Sequence, residues 1–268
     1  MNLCVVLLKG GSVYKRMKLC LILAQMWLLF ECPALSKTIT IASKSFSEST
    51  ILSEMLAQVL EVKYGVTVVR KMGLGGTKVA FDALKAGEVD VYPDYTGTGY
   101  VMILGMKGES DPAKIYDQVK TAYLEKFNII WSKPLGFNNT YALAARQGDS
   151  RFVNIESLSQ LKDILPGLKY GSPHEFMERG DGHDAFVDFY NLSFNNTKIF
   201  AMEAGLMYSA IKDKKIDIAV VYSTDGRIKA NNLKIFNDDR SFFPPYFAAF
   251  NYTKDALSRV PDLALAIS

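Results

Sequence analysis

YPDYTGT, residues 92–98, begins at the last residue of a run, residues 89–92, that is typical of a β-strand, and it precedes a glycine-rich segment. Tyr92 and Tyr95 therefore flank Asp94 at the carboxyl end of a predicted strand, where open α/β sheets bind their ligands. The face of a tyrosine ring attracts an organic cation without any hydrogen bond. We expect these three residues to bind a cation; the alternative is that Tyr95 packs on a helix and Asp94 caps a turn.

Strands and helices alternate outward from this stretch in both directions. The predicted strands cover residues 38–43, 66–69, 89–92, 168–172, 199–202, 216–222 and 233–236. This alternation is typical of the α/β class with parallel or mixed sheets. The strands fall into two series that join near residues 137–146 and near residues 242–246, so we expect two lobes linked by two crossings. We assign residues 37–137 to lobe I, 138–242 to lobe II, and 243–268 to a return into lobe I.

Two of the predicted helices in lobe I have clear signals. Asp111 followed by Pro112 is a typical helix start, because aspartate caps the free N–H groups and proline fits the first turn. An earlier helix is predicted from apolar residues that recur at helical spacing and should form its buried face, namely Ile51, Met55, Leu56, Val59 and Leu60.

The first 36 residues have the layout of a secretory signal. A cluster of lysine and arginine precedes an apolar run at residues 19–30, and small residues follow the run. This run is shorter than the roughly 20 residues that a membrane-spanning helix needs. We expect cleavage near residue 36 and secretion to the periplasm or the cell exterior, with Met17 as an alternative start and a lipid anchor on Cys32 as an alternative fate.

Charge and cysteine content exclude several classes of protein. The chain has 31 Lys+Arg and 28 Asp+Glu, of which residues 1–36 hold four and one, so residues 37–268 carry 27 of each. Balanced charge argues against a nucleic-acid partner. All three cysteines lie in residues 1–36, which leaves no disulfide, thiolate nucleophile or cysteine metal site beyond them. His174 and His183 are the only histidines, and we expect neither a metal site nor a catalytic pair from them.

Five further motifs, taken in order with YPDYTGT, resemble those of a known family. They are LGGT at 74–77, LGFNNTYALAAR at 135–146, HEFMERGDG at 174–182, VVYSTDGRI at 220–228 and FFPPY at 242–246. From about residue 37 to residue 246 the chain resembles the glycine betaine/choline/carnitine substrate-binding proteins of ABC transporters. Only 22 residues follow FFPPY, fewer than in this family, so we expect a shortened C-terminus.

The resemblance implies a bilobal type II periplasmic-binding-protein fold. Such a protein holds a quaternary-ammonium osmolyte (glycine betaine, choline or carnitine) in an aromatic cage between its lobes. It also implies a monomer that passes the ligand to the membrane permease of the transporter, without catalysis, cofactor or metal. The rival interpretations are an enzyme on the same bilobal scaffold, a transferase or lyase, and an inactive remnant.

Two candidate ligand contacts in lobe I lie at the same edge of the expected cleft. Thr77 follows two glycines at a predicted helix start, where it can bond a polar group of the ligand or cap the helix. The LGGT motif lacks the lysine of a phosphate-binding loop, which excludes that function. Phe46 follows the first predicted strand.

The first predicted crossing combines amide, hydroxyl and aromatic groups, in Phe137, Asn139, Thr140 and Tyr141. We expect the amide and hydroxyl to receive the polar tail of a ligand, and a ring to extend the cage. Asparagine also suits a hinge, because it tolerates unusual backbone angles, and the two roles are compatible.

Lobe II supplies the opposite wall of the expected cage. Tyr208 and Tyr222 are candidate rings, with ordinary core packing as the alternative for each. Arg179 can bind a carboxylate in two-pronged fashion, although the neighbouring acidic residues favour structural ion pairs. Thr224 is a candidate contact or the cap of a turn.

Overall fold

Two five-stranded sheets form within residues 37–268, the part of the chain that the computed structural model describes. The strands are β1 (Thr38–Ala42), β2 (Thr67–Lys71), β3 (Val91–Tyr95), β4 (Ile129–Trp131), β5 (Tyr141–Arg146), β6 (Lys169–Pro173), β7 (Lys198–Met202), β8 (Ile218–Tyr222), β9 (Leu233–Ile235) and β10 (Ala248–Thr253). The first sheet has the order β2-β1-β3-β10-β4, and the second has the order β7-β6-β8-β5-β9.

Helices connect most of the parallel strands. The α-helices are α1 (Ser47–Tyr64), α2 (Thr77–Lys85), α3 (Pro112–Phe127), α4 (His174–Glu178), α5 (His183–Tyr190), α6 (Ala204–Lys212), α7 (Arg227–Ala230), α8 (Lys254–Arg259) and α9 (Asp262–Ile267), of which α8 and α9 follow the last strand. A helical turn at Thr96–Thr98 continues into a π-helical segment, Gly99–Ile103, directly after β3. Among residues 37–268, no helix is both long and apolar enough to cross a lipid bilayer.

The two sheets share one pattern of strand directions. β1 pairs in parallel with β2 and β3, and β6 pairs in parallel with β7 and β8. β10 runs antiparallel between β3 and β4, while β5 runs antiparallel between β8 and β9. In each sheet, the antiparallel strand (β10 in the first, β5 in the second) is the strand that the chain forms directly after it crosses over from the other sheet. The predicted α/β class with parallel or mixed sheets joined by two crossings is confirmed, and both sheets are mixed.

The two crossings run side by side. Asn138 and Phe247 form an antiparallel bridge, the N–H of Asn139 donates to the carbonyl of Tyr246 at 3.0 Å, and the N–H of Tyr246 donates to Oδ1 of Asn138 at 2.7 Å. Paired crossings of this kind are typical of a hinge between two bodies. The division into lobe I (37–137 with 243–268) and lobe II (138–242) stays a proposal.

The turn after β3 is tied to the second crossing. A Cβ on Gly97 would lie 2.8 Å from both the carbonyl oxygen of Pro245 and the ring of Tyr246, so a side chain there would push the crossing away. The hydroxyl of Thr96 donates to the Pro245 carbonyl and accepts from the N–H of Phe247, both at 3.1 Å. The TGT part of the motif therefore fixes the crossing against the first sheet.

The buried face of α1 differs from the prediction. Leu52, Leu56 and Leu60 form it and pack into the core. Of the residues predicted to be buried, Ile51 and Met55 are 57% and 59% exposed, and Val59 is 38% exposed. This helix has apolar residues on both sides, so their spacing alone does not decide which side meets the sheet. The helix ends where Gly65 adopts a left-handed conformation with φ of 62°.

Other local predictions are confirmed. The side chain of Asp111 accepts from the N–H groups of Ala113 and Lys114, with Pro112 in the first turn of α3. Helix α2 begins at Thr77, where the sequence predicts a helix start. β3 begins and ends later than predicted, so that Asp94 and Tyr95 belong to the strand itself. The predicted signal, alternative start and lipid anchor lie outside the described residues.

Candidate ligand-binding site

A small cavity lies where the ends of strands from both sheets meet. Its lining is Lys44, Phe46, Thr77, Tyr95, Thr98, Asn139, Tyr141, Glu175, Arg179, Tyr222 and Tyr246. These residues end or follow the parallel strands β1, β2, β3, β6 and β8, or lie at the crossings that lead into β5 and β10. The cavity has a volume of about 20 Å³, enough for roughly one water molecule. A ligand of several heavy atoms therefore enters only if the walls move apart.

Lys44 brings a positive charge into this cavity. Its side chain is 5% exposed, and its Nζ donates to Oδ1 of Asp94 at 2.8 Å and to the hydroxyl of Thr77 at 3.2 Å. The same Nζ lies 5.1 Å from the ring centroid of Tyr95 and 5.5 Å from that of Phe46. Both distances are within the range of cation–π attraction. Two aromatic rings of the site thus already face a cation of the protein.

Asp94 and Tyr92 lie behind this lysine and do not line the cavity. Both are fully buried. Oδ1 of Asp94 accepts from Lys44 and from the N–H of Tyr95, while Oδ2 accepts from the hydroxyl of Tyr92 at 2.8 Å. The expected direct contact of Asp94 with a ligand cation is therefore replaced by a contact with Lys44. Strand β3 continues through these residues, and its alternation directs Tyr92 and Asp94 to the same side.

The rings on the cavity wall form a continuous cluster. The centroid of Phe46 lies 4.9 Å from that of Tyr222 and 6.0 Å from that of Tyr95. Tyr141 lies 5.5 Å from Tyr222 and 5.8 Å from Tyr246. Burial raises the pKa of the Tyr95 and Tyr222 hydroxyls well above the ordinary value, so both rings stay neutral. Four of the five rings come from predicted site residues.

Arg179 places a second buried cation in the lining of the cavity. Its Nε and Nη2 donate to the carboxylate of Asp181 at 2.8 and 2.5 Å, and its Nη1 lies 3.6 Å from Oε1 of Glu175. Burial lowers the pKa of this guanidinium, but the surrounding groups, Tyr141 and Asp181 among them, raise it overall. Arg179 thus forms an ion pair with Asp181 and also lines the cavity. The two interpretations from the sequence, a structural ion pair and a contact with a ligand carboxylate, are therefore compatible.

Thr77 and Glu175 meet across the cavity. The N–H of Thr77, at the start of α2, donates to Oε1 of Glu175 at 3.3 Å. A helix N-terminus favours negative charge because its first N–H groups are unpaired. This end of the cavity therefore already accepts a carboxylate, in a place bordered by Lys44 and Arg179.

Tyr208 does not reach the cavity. The guanidinium carbon of Arg227 lies 4.4 Å from the centroid of the Tyr208 ring, and the Tyr208 hydroxyl accepts from the N–H of Tyr222 at 3.2 Å. Tyr208 therefore supports Tyr222 from behind. The sequence offered no way to separate the two rings, since both are tyrosines near a predicted lobe II strand or helix.

The remaining predicted residues lie in grooves beside the cavity. Phe137 and Thr224 line a groove of about 430 Å³ on one side, together with Phe46, Asn139 and Tyr222. Thr140 lines a larger groove on another side of the crossings. The hydroxyl of Thr224 donates to Oε2 of Glu48 at 2.5 Å.

The sequence analysis did not single out four of the lining residues as candidate ligand contacts, namely Lys44, Thr98, Glu175 and Tyr246. A single lysine after a strand is usually solvated, so Lys44 gave no signal except its place at the strand's carboxyl end. Glu175 and Tyr246 occur in motifs that carried the resemblance. Within residues 37–268, histidine, aspartate and glutamate form no cluster that could hold a metal ion.

Comparison with known proteins places the chain among transport proteins. Residues 37–268 match the family OpuAC, described as the substrate binding domain of an ABC-type glycine betaine transport system. The carnitine transport binding protein OpuCC of Listeria monocytogenes (serotype 1/2a, strain 10403S) is 38% identical over 233 residues, which cover 86% of this chain and 75% of that protein. A glycine-betaine-binding protein of Pseudomonas aeruginosa is 35% identical over 240 residues, covering 86% of this chain and 76% of that one.

A solved structure shows the same fold. The crystal structure of a glycine betaine/carnitine/choline ABC transporter protein superimposes with a TM-score of 0.68 and 32% sequence identity, covering 85% of each chain.

Proposed function

This chain belongs to the family of substrate-binding domains of ABC-type glycine betaine transport systems, and we propose that it captures a quaternary-ammonium osmolyte for uptake through a membrane permease. The named relatives are binding proteins, which supports a role without catalysis. The ligand class that we propose is a betaine, a molecule with a trimethylammonium head and a carboxylate tail, as in glycine betaine and carnitine.

One observation supports this ligand class: a cluster of aromatic rings lies next to two buried cations, Lys44 and Arg179, in the same cavity. The methyl groups of the head would pack on Phe46 and Tyr222, since ring faces attract a cation that has no N–H to satisfy. The carboxylate would accept from Lys44, Arg179 and the hydroxyl of Thr77, which border one end of the cavity. A zwitterion matches both ends, because each charge meets a group of opposite polarity.

The same arrangement disfavours a ligand that is only a cation. Choline would bring a third positive charge beside Lys44 and Arg179 without a carboxylate to offset it. At an effective dielectric constant of about 20, two like charges roughly 6 Å apart repel by about 3 kcal/mol before relaxation. Glu175 offsets part of this repulsion. We therefore propose that betaines bind more tightly than choline.

A thermal-shift screen followed by titration calorimetry tests this function. Glycine betaine and carnitine should raise the unfolding temperature at lower concentrations than choline does. Glycine is the matched control, because it has the same carboxylate but an ammonium whose N–H groups the rings leave unsatisfied; it should have no effect. Stabilisation by glycine equal to that by glycine betaine, or by none of these compounds, would refute the proposal.

Processing and location follow the family in our proposal. Residues 1–36 would be removed as a secretory signal, and the remainder would work as a monomer outside the cytoplasmic membrane, where it meets the permease. Intact-mass measurement of the secreted protein should give a chain that begins near Lys37. A mass that includes residues 19–30, or a lipid on Cys32, would contradict this.

A further inference from the structure

The carboxylate of Glu48, in the first turn of α1, joins three parts of the molecule. Its Oε1 accepts from the hydroxyl of Tyr95 at 2.6 Å and from Nδ2 of Asn139 at 2.8 Å, and its Oε2 accepts from the hydroxyl of Thr224. Tyr95 is a wall of the cavity, Asn139 lies in the first crossing, and Thr224 follows strand β8 of the second sheet. One side chain therefore contacts the site, the hinge and the other sheet.

The bond to Tyr95 fixes the orientation of a ring in the cavity wall. That ring faces Phe46 at 6.0 Å and the ammonium of Lys44 at 5.1 Å. Tyrosine hydroxyls that are buried usually find a partner, and here the partner is Glu48. Loss of this acceptor would leave the hydroxyl unsatisfied or let the ring rotate.

The bond to Asn139 fixes the first crossing relative to α1. A carboxylate only accepts hydrogen bonds, so Glu48 fixes the orientation of the Asn139 side-chain amide, with its Nδ2 group toward the carboxylate. The backbone of Asn139 is paired with Tyr246 of the second crossing. Tyr95 ends strand β3 of the first sheet, which α1 covers, so the bond between Glu48 and Tyr95 does not depend on how the second sheet is placed.

The bond to Thr224 is different, because it crosses from the first sheet to the second. Thr224 is exposed at the rim of the groove that leads to the cavity. Two other hydrogen bonds join the two sheets' residues nearby. Nη2 of Arg227 donates to the hydroxyl of Ser47 at 3.1 Å, and the N–H of Thr77 donates to Glu175. Separation of the two sheets at the rim would break the Thr224 bond and leave the bond between Glu48 and Tyr95 intact.

We propose that Glu48 is a positioning residue that links the cavity wall to closure of the two sheets over the ligand, with Thr224 as its closure-dependent partner. This inference rests on the proposed function and adds a residue outside the cavity lining. A bond that exists only in the closed state lengthens the lifetime of the bound complex and leaves ligand entry unaffected. Its loss should therefore appear in the dissociation rate, as most affinity differences among related complexes do.

Dissociation of radiolabelled glycine betaine, chased with excess unlabelled compound, tests the link. Thr224→Val keeps the shape and removes the donor, and it should release ligand about threefold to tenfold faster, with an association rate within about twofold of wild type. Thr224→Ser keeps the hydroxyl and should behave as wild type. Thr121→Val, an exposed threonine on α3, is the matched control and should have no effect.

Glu48→Gln should weaken binding more than Thr224→Val does. Glutamine offers one acceptor oxygen for three donors and turns an N–H₂ toward at least one of them. We expect the affinity to fall about tenfold or more, since hydrogen bonds to charged groups contribute more than neutral ones. Glu125→Gln on the exposed side of α3 is the control. Because the two residues act together, the double variant should release ligand no faster than Glu48→Gln alone.

Equal dissociation rates for wild type and Thr224→Val would overturn the inference, as would strictly additive effects in the double variant. A fall in the association rate alone would also overturn it, because that result places Thr224 on the entry path. Failure of the proposed function is distinguishable, since the wild-type protein itself would then retain no betaine, and the inference that rests on it would fall as well.

Discussion

At the scale of single residues, Lys44 and Asp94 form a buried ion pair at the cavity, and the buried Arg179 forms another ion pair with Asp181. The lysine is in contact with rings and a hydroxyl of the site, and the aspartate behind it is fully buried. A buried charge is stabilised only while its partner is present. We therefore propose that Asp94 acts on a ligand through the position and charge of Lys44.

Asp94→Asn should destabilise the protein by about 3–5 kcal/mol, because it leaves the Lys44 ammonium buried without a counter-charge. Asp82→Asn is the matched control, since Asp82 pairs with Lys78 at the surface, where both are more than half exposed; it should cost roughly 0.5 kcal/mol or less. Urea unfolding measures both. Similar losses for the two variants would mean that Lys44 is solvated and not dependent on Asp94.

The two lobe II tyrosines should respond differently to loss of the ring. Tyr222→Leu removes a ring from the wall of the cavity. It should weaken the binding of glycine betaine by about 1–2 kcal/mol, the size of a desolvated cation–π contribution. Tyr208→Leu removes a ring that faces Arg227 outside the cavity and should change the affinity much less. Calorimetry on both variants decides the matter, and a larger loss at Tyr208 would restore the expectation drawn from the sequence alone.

At the scale of elements, α1 shows what a sequence pattern leaves undecided. Leu52, Leu56 and Leu60 are buried, while Ile51 and Met55 point to solvent. Both sets have helical spacing, so only packing against the sheet distinguishes them. Strands β5 and β10 were missed for a related reason: YALAAR and AAFNYT show no alternation because both of their faces are buried.

Substitutions on the two sides of α1 should separate these faces. Leu56→Ala should cost about 2–5 kcal/mol of unfolding free energy, because it leaves a cavity in the core. Met55→Ala, one position away and exposed, should change stability by roughly 0.5 kcal/mol or less. Both variants can be compared by urea unfolding. A large loss at Met55 would show that another surface covers this side of the helix.

At the scale of the whole molecule, the alternation of strands and helices was enough to predict the α/β class and two crossings, but it left open whether the sheets are parallel or mixed. Seven of the thirteen predicted site residues line the cavity. Among them, Phe46, Thr77, Tyr95 and Arg179 lie at strand ends or helix starts that the pattern locates. Lys44 and Tyr246 escaped prediction because their roles depend on contacts between elements far apart in the chain. Which aromatic residue faces the cavity and which faces the core likewise depends on packing.

The central claim is that one cavity binds a zwitterion, with its cation on the rings and its carboxylate on Lys44 and Arg179. A crystal structure of the complex with glycine betaine tests it most directly. We expect the ammonium nitrogen within about 6 Å of the ring centroids of Phe46 and Tyr222. We also expect the carboxylate about 2.7–3.2 Å from Nζ of Lys44 and a guanidinium nitrogen of Arg179. A ligand bound in the reverse orientation, or in one of the flanking grooves, would contradict the account.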